Sequence, residues 1–207
     1  MAKIYRKQGQ VWVESVLYTL VGLTLIGLTL AIVYPKISES RDRAVVEQSI
    51  EVLNVLDTKI NEVLLRGEGN VRSIPELTLR RGELRIDADK NLLSLTIRGL
   101  KKPYSQVGLD ISVGNVKVKT SSAKKNYDVE LIVDYTSSAN VVYGCNVPLT
   151  LTGTTPATYC TDPTLGGAAD KAVKKLNAAS RPYALSIAHI GDTGTGIVVN
   201  IKETSGA

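Results

Sequence analysis

Three hydrophobic regimes follow one another along the chain. Residues 16–33, VLYTLVGLTLIGLTLAIV, run for eighteen positions without a charge. As a helix rising 1.5 Å per residue they would span ~27 Å, close to the ~30 Å of a bilayer core. Residues 11–13, VWV, extend the run. A secretory signal would have a shorter apolar part ending in small residues suited to cleavage, whereas this run ends LAIVYPKISES with no such site. Basic residues precede the segment, so the positive-inside rule places the N-terminus in the cytoplasm and everything after Lys36 outside.

The second regime has a helical period. Val46, Ile50, Leu53, Leu56, Ile60, Val63 and Leu64 recur at spacings of three and four, and Arg41, Asp42, Arg43, Glu47, Glu51, Asp57, Lys59 and Glu62 fill the other positions. This pattern predicts an amphipathic helix with the charged residues on its wet side. Pro35 would bend it, and the cationic, glycine-flanked segment RGEG at 66–69 would stop it. A helix from about residue 10 to residue 66 would be ~85 Å long. Its first half is apolar all round and its second half on one side only, so the two halves require different surroundings.

After Gly69 the period becomes two. Leu84 and Ile86, then Leu93, Leu95 and Ile97, alternate on either side of the turn material DADKN. A second pair of strands follows in residues 107–135, turning at 121–126. Residues 136–163, rich in Tyr, Thr, Pro and Gly, read as loop with short strands around the cysteines. GGAADKAVKKLNAAS, residues 166–180, reads as a short helix. Ala184, Ile187 and Ile190, then Ile197, Val199 and Ile201, mark a closing hairpin. The expected fold is α+β: a leader at 1–9, a long N-terminal helix at 10–67, and a β-rich head of antiparallel strands at 68–207.

Charge and composition narrow the function. The net charge is +5, but Lys3, Arg6 and Lys7 contribute three of these charges, and the remaining basic residues sit in small pairs among acids. No nucleic-acid footprint is expected from that pattern. Two cysteines, Cys145 and Cys160, lack the further ligands of a zinc site. Outside the cytoplasm they read as a disulfide that would stabilise by roughly 3 kcal/mol in the chain-entropy model, the alternative being two core thiols.

His189 is the only histidine, which leaves little for a histidine-based catalytic triad or metal centre; on an apolar strand it reads as a packed or edge residue. GDTGTG at 191–196 lacks the Lys-Ser/Thr of a P-loop and reads as a hairpin turn. Asp87, Asp89, Asp110 and Asp128 lack the spacing of a calcium loop. No catalytic residue, metal or cofactor is expected. No Asn-x-Ser/Thr sequon occurs, so no N-linked glycan is expected either.

The specific signal is at the start. Gly9 follows a short basic leader, Glu14 is the fifth residue after it, and the uninterrupted apolar helix comes next. This arrangement resembles the class III signal of type IV prepilins, and more narrowly that of archaeal pilin-like proteins, whose motif after the cleaved Gly reads Gln-x-Ser-x-Glu-x-x-x-Leu. Gln10 and Glu14 match; Trp12 and Tyr18 stand where Ser and Leu are commonest, and Gln8 where a basic residue often precedes the Gly. The resemblance covers roughly the first 35 residues and, less closely, the amphipathic extension to Arg66.

It implies cleavage between Gly9 and Gln10 by a prepilin peptidase at the cytoplasmic face. The mature subunits, first held in the membrane, would then assemble as a homo-oligomeric helical filament, driven by an assembly ATPase and a membrane platform protein. Elementary electrostatics agrees with that cut. It creates an α-amino group on Gln10, with a reference pKa of ~7.7–8.0 and so mostly cationic at neutral pH, which can meet the carboxylate of Glu14. Gly22 and Gly27 would let neighbouring helices approach closely. The expectation is a surface-filament subunit serving adhesion or cell contact. The alternatives are a single-pass anchor for an extracellular binding domain and a minor pseudopilin of a secretion or DNA-uptake system.

Overall fold

A computed structural model describes residues 8–144, 173–192 and 196–204, with side chains from residue 12 onward. Among the described residues one helix, α1 (Gln8–Arg66), is followed by ten strands: β1 (Val71–Leu77), β2 (Glu83–Asp87), β3 (Leu92–Leu100), β4 (Asp110–Val113), β5 (Val116–Ala123), β6 (Asn126–Asp134), β7 (Asn140–Tyr143), β8 (Val173–Asn177), β9 (Tyr183–Asp192) and β10 (Ile197–Glu203). The chain divides into two compact units, Met1–Arg41 and Asp42–Ala207. The outer half of α1 therefore belongs with the strands.

In the second unit, β4, β5, β6, β3, β2 and β8 form a six-stranded sheet in that order, and β1, β9, β10 and β7 a four-stranded one. Every pairing is antiparallel except β7 with β10, which run parallel. The alternation read from the sequence sets the register of the larger sheet. Leu176, Leu84, Leu95, Leu131, Val118 and Ile111 stand opposite one another in a row that crosses all six strands. Because directly opposed residues share a face, this row and its neighbours make one apolar surface. A slip of one residue would turn that surface to water.

Against it packs the periodic face of α1. Val46, Leu53, Ile60 and Val63 are fully buried, as are Leu185, Ile187, Val199 and Ile201 of the smaller sheet, and all belong to a single core. Gly82 marks a close approach: its φ is +100°, and a Cβ there would lie 2.6 Å from the carbonyl oxygen of Thr96.

The charged side of α1 departs from expectation. Three of its acids tie the helix to the strands. Asp42 accepts from the Arg81 guanidinium at 3.2 Å and from the backbone N–H of Lys101 at 2.9 Å. Glu62 accepts from Lys59 and Arg72, each at 2.9 Å, and these bonds, Lys59's foremost, hold its carboxyl below the usual carboxylate range. Asp57, expected on the wet side, is only 8% exposed. It accepts from the Tyr135 hydroxyl and from the Asn115 side-chain amide, both at 2.8 Å. A buried carboxylate persists where hydrogen bonds replace its water. Burial, and then the Asp57 bond, pushes the Tyr135 phenol far above its ordinary pKa.

Residues 173–177, expected to be helical, are strand β8, paired along its length with β2. The sheet offers Leu176 a buried place opposite Leu84, and this tertiary gain outweighs the helix preference of the Ala- and Lys-rich segment.

His189 lies on the inward face of β9 at 6% exposure, and among the described residues neither imidazole nitrogen has a hydrogen-bond partner. A polar ring buried without partners costs stability. Replacing His189 by Leu is therefore expected to leave the unfolding temperature unchanged or raise it, and replacing it by Asp to lower it, as thermal unfolding of the purified chain will read.

Candidate functional site

The feature of α1 that calls for a function is its first unit. Between residues 12 and 37 the apolar side chains point outward: Trp12 is 71% exposed, Leu23 70%, Ile32 70% and Ile37 47%. The helix is long and apolar enough to cross a membrane by length and composition, and none of its apolar window is buried within the chain. So large an apolar surface in water would be strongly unfavourable, at roughly 25 cal/mol per Å². Lipid or other protein must cover it.

The three threonines within this stretch are arranged to do without water. The Thr19 hydroxyl donates to the carbonyl oxygens of Ser15 and Val16, at 3.1 and 2.9 Å. Thr24 donates to Leu20 at 2.7 Å and Thr29 to Leu25 at 2.8 Å. Each hydroxyl is satisfied by the preceding turn of its own helix, which removes much of the cost of placing it among hydrocarbon. Pro35 stands inside the helix, where it takes one donor from the backbone ladder.

Among the described residues nothing packs against Gly22 or Gly27. A Cβ added to either would meet nothing within 4 Å, yet each glycine costs a helix about 1 kcal/mol relative to alanine. Five positions apart, they point about 140° from each other around the axis. Ser15 and Thr19 share a face with Gly22, and Thr24 and Ala31 share another with Gly27. These two stripes of small residues were not singled out from sequence, although their spacing at three, four and seven was there to be read.

Glu14 is exposed, one residue before Ser15, and among the described residues no hydrogen bond or ion pair engages it. Gln10 lies four positions earlier in the same helix, so the backbone nitrogen of Gln10 and the Glu14 side chain share one face a turn apart. The Gly9–Gln10 bond falls in the first turn of α1. Cys145 and Cys160 lie outside the described residues.

The hollows of the second unit are of another kind. One of about 460 Å³ is lined by Asp57, Asn61, Asn115 and Tyr135 among others, but the Asp57 carboxylate there is already held by two donors. Among the described residues no group of three His, Cys, Asp or Glu side chains is placed to hold a metal ion. The arrangement thus offers a surface for association at the N-terminal helix, with one acid at its head. Comparison of the chain with protein-family models, with curated proteins and with solved structures gave no match.

Proposed function

We propose that the chain is the subunit of a surface filament of type IV pilin character, archaeal in its signal, cut after Gly9 and assembled through residues 10–41. The observation that carries this reading is the spacing of Gly9 and Glu14 at the head of a helix exposed on every side. Lipid covers the helix in the precursor, and identical helices cover it in the fibre. The paired glycine faces support a bundle in which each helix touches more than one neighbour, since a simple two-helix contact would use one face only. Self-satisfied threonines suit both environments.

In this account Glu14 receives the α-amino group of Gln10, its own before assembly and a neighbour's afterwards. Pairing the two charges fixes the axial step between subunits. A buried pair adds little net stability, but one left unpaired is heavily penalised, so the pair selects register. The expected partners are further copies of the chain, a prepilin peptidase, an assembly ATPase and a membrane platform protein. The head at the surface serves attachment or cell contact.

A single-pass anchor displaying the β unit would use the same exposed helix. Mass spectrometry of the native N-terminus separates the two: the filament reading expects a mature chain beginning at Gln10, and retention of residues 1–9 would favour the anchor.

A further inference from the structure

Few apolar side chains are exposed among the described residues of 42–204. The large ones are Val55, Leu65, Val71, Val107, Leu109 and Val113. Three of these six fall within seven residues, at 44%, 51% and 38% exposure for Val107, Leu109 and Val113. That segment leads into and forms β4, the outermost strand of the six-stranded sheet. Ile111 and Val113 stand opposite the fully buried Val118 and Val116, so the apolar face of the sheet continues to this edge and is left partly uncovered there.

Edge strands are normally guarded against pairing with another chain. Strand β1 carries Pro75 and a break in register between Ile74 and Leu77, and β8 carries Lys174 and Lys175. Strand β4 has neither proline nor register break, and its one charge is Asp110.

We propose that β4 docks against β4 of a second copy of this chain, the two strands antiparallel about Ile111. In that register Leu109 faces Val113 of the other copy and Asp110 faces Ser112, all on matching sides of the joined sheet. Sliding the strands one way sets Asp110 against Asp110; sliding them the other way sets Leu109 against Asn115. The charges on the outer face select the same register. Within one chain Lys119 stands opposite Asp110, and Lys117 opposite the short Ser112. A second copy's Asp110, seated beside Ser112, lies between its own Lys119 and the Lys117 that reaches over that serine.

Such a contact is two-fold and self-complementary, so it closes on itself. It cannot repeat along a polar filament; between filaments it joins two side by side in opposite directions. The pairing stands on residues of the β unit and does not require the filament reading of the helix.

The test uses the full chain in detergent with Ser112→Cys. Diagonal neighbours across such a pair lie ~8 Å apart, within reach of a short bismaleimide, and the parent chain with only Cys145 and Cys160 is the reference. At least fivefold more cross-linked dimer than the reference is expected. Adding Leu109→Lys or Asp110→Lys should return the yield to the reference level, and Asp110→Lys with Lys117→Asp should restore it. All four positions are exposed, so unchanged thermal unfolding will show that the fold survives. A yield no higher than the reference, a yield indifferent to Leu109→Lys, or a charge swap that restores nothing would overturn the proposal. Cross-linking by a chain that forms no filaments on cells would count against the filament reading alone.

Discussion

Cells carrying Glu14→Ala are expected to produce no recoverable filaments while still inserting the chain in the membrane and trimming it. The substitution leaves the helix intact, since alanine is the best helix former. What it removes is the carboxylate that, on the proposed filament function, would meet the amino group of Gln10 in the fibre. An amine left alone among apolar helices costs roughly 3–5 kcal/mol, more than a hundredfold per subunit added, and a polymer repeats that loss at every step. Glu14→Gln keeps an acceptor without the charge and should give an intermediate yield. The measurement is the amount of sheared surface protein relative to membrane-resident protein. Undiminished yield with normal subunit spacing would refute the role given to Glu14.

The second large effect is expected in the head. Asp57→Ala strands one buried donor, the Tyr135 hydroxyl, now 2.8 Å from a carboxylate oxygen, whereas the exposed Asn115 amide, also at 2.8 Å, can turn to water. An unsatisfied buried donor costs about 1–3 kcal/mol, so a loss of that size is expected, lowering the unfolding temperature by roughly 2–12 °C. Tyr135→Phe removes one partner and should cost about 1 kcal/mol.

The pH dependence follows from the raised pKa of Tyr135. A group whose pKa is raised by folding contributes fully below its unfolded value, here ~10 for a phenol, and its contribution fades as the pH rises above that. The native chain should therefore lose stability at strongly alkaline pH more steeply than Tyr135→Phe. Parallel profiles for the two chains would show that folding does not raise the pKa of Tyr135.

Much of this architecture was legible because it is periodic. The buried stripe of α1, from Val46 to Val63, and the alternating residues of β2, β3, β5, β6 and β10 were readable because burial imposes a period on each element; in β9, read as apolar at Ala184, Ile187 and Ile190, the buried side chains are Leu185, Ile187 and His189. Where partners are distant in sequence, legibility failed. The parallel pairing of β7 with β10 joins residues near 140 to residues near 200, and no local pattern announces it. Strand β8 resembles a helix until Leu84 is placed opposite Leu176.

Asp57 looked like one more wet acid, because the donors that retain it come from residues 115 and 135. At the N-terminal helix the balance is reversed. Glu14, Gly22 and Gly27 were conspicuous in sequence because nothing local requires them, and within the chain they make no contact that would explain them.

The central claim is that trimming after Gly9 releases an apolar helix that assembles with copies of itself. Shearing the surface of producing cells, imaging the released material by electron microscopy and sequencing the protein within it tests this most directly. Thin filaments built of this chain, with Gln10 as the first residue, are expected. Recovery of the chain only from the membrane, as dispersed molecules that keep residues 1–9, would contradict it.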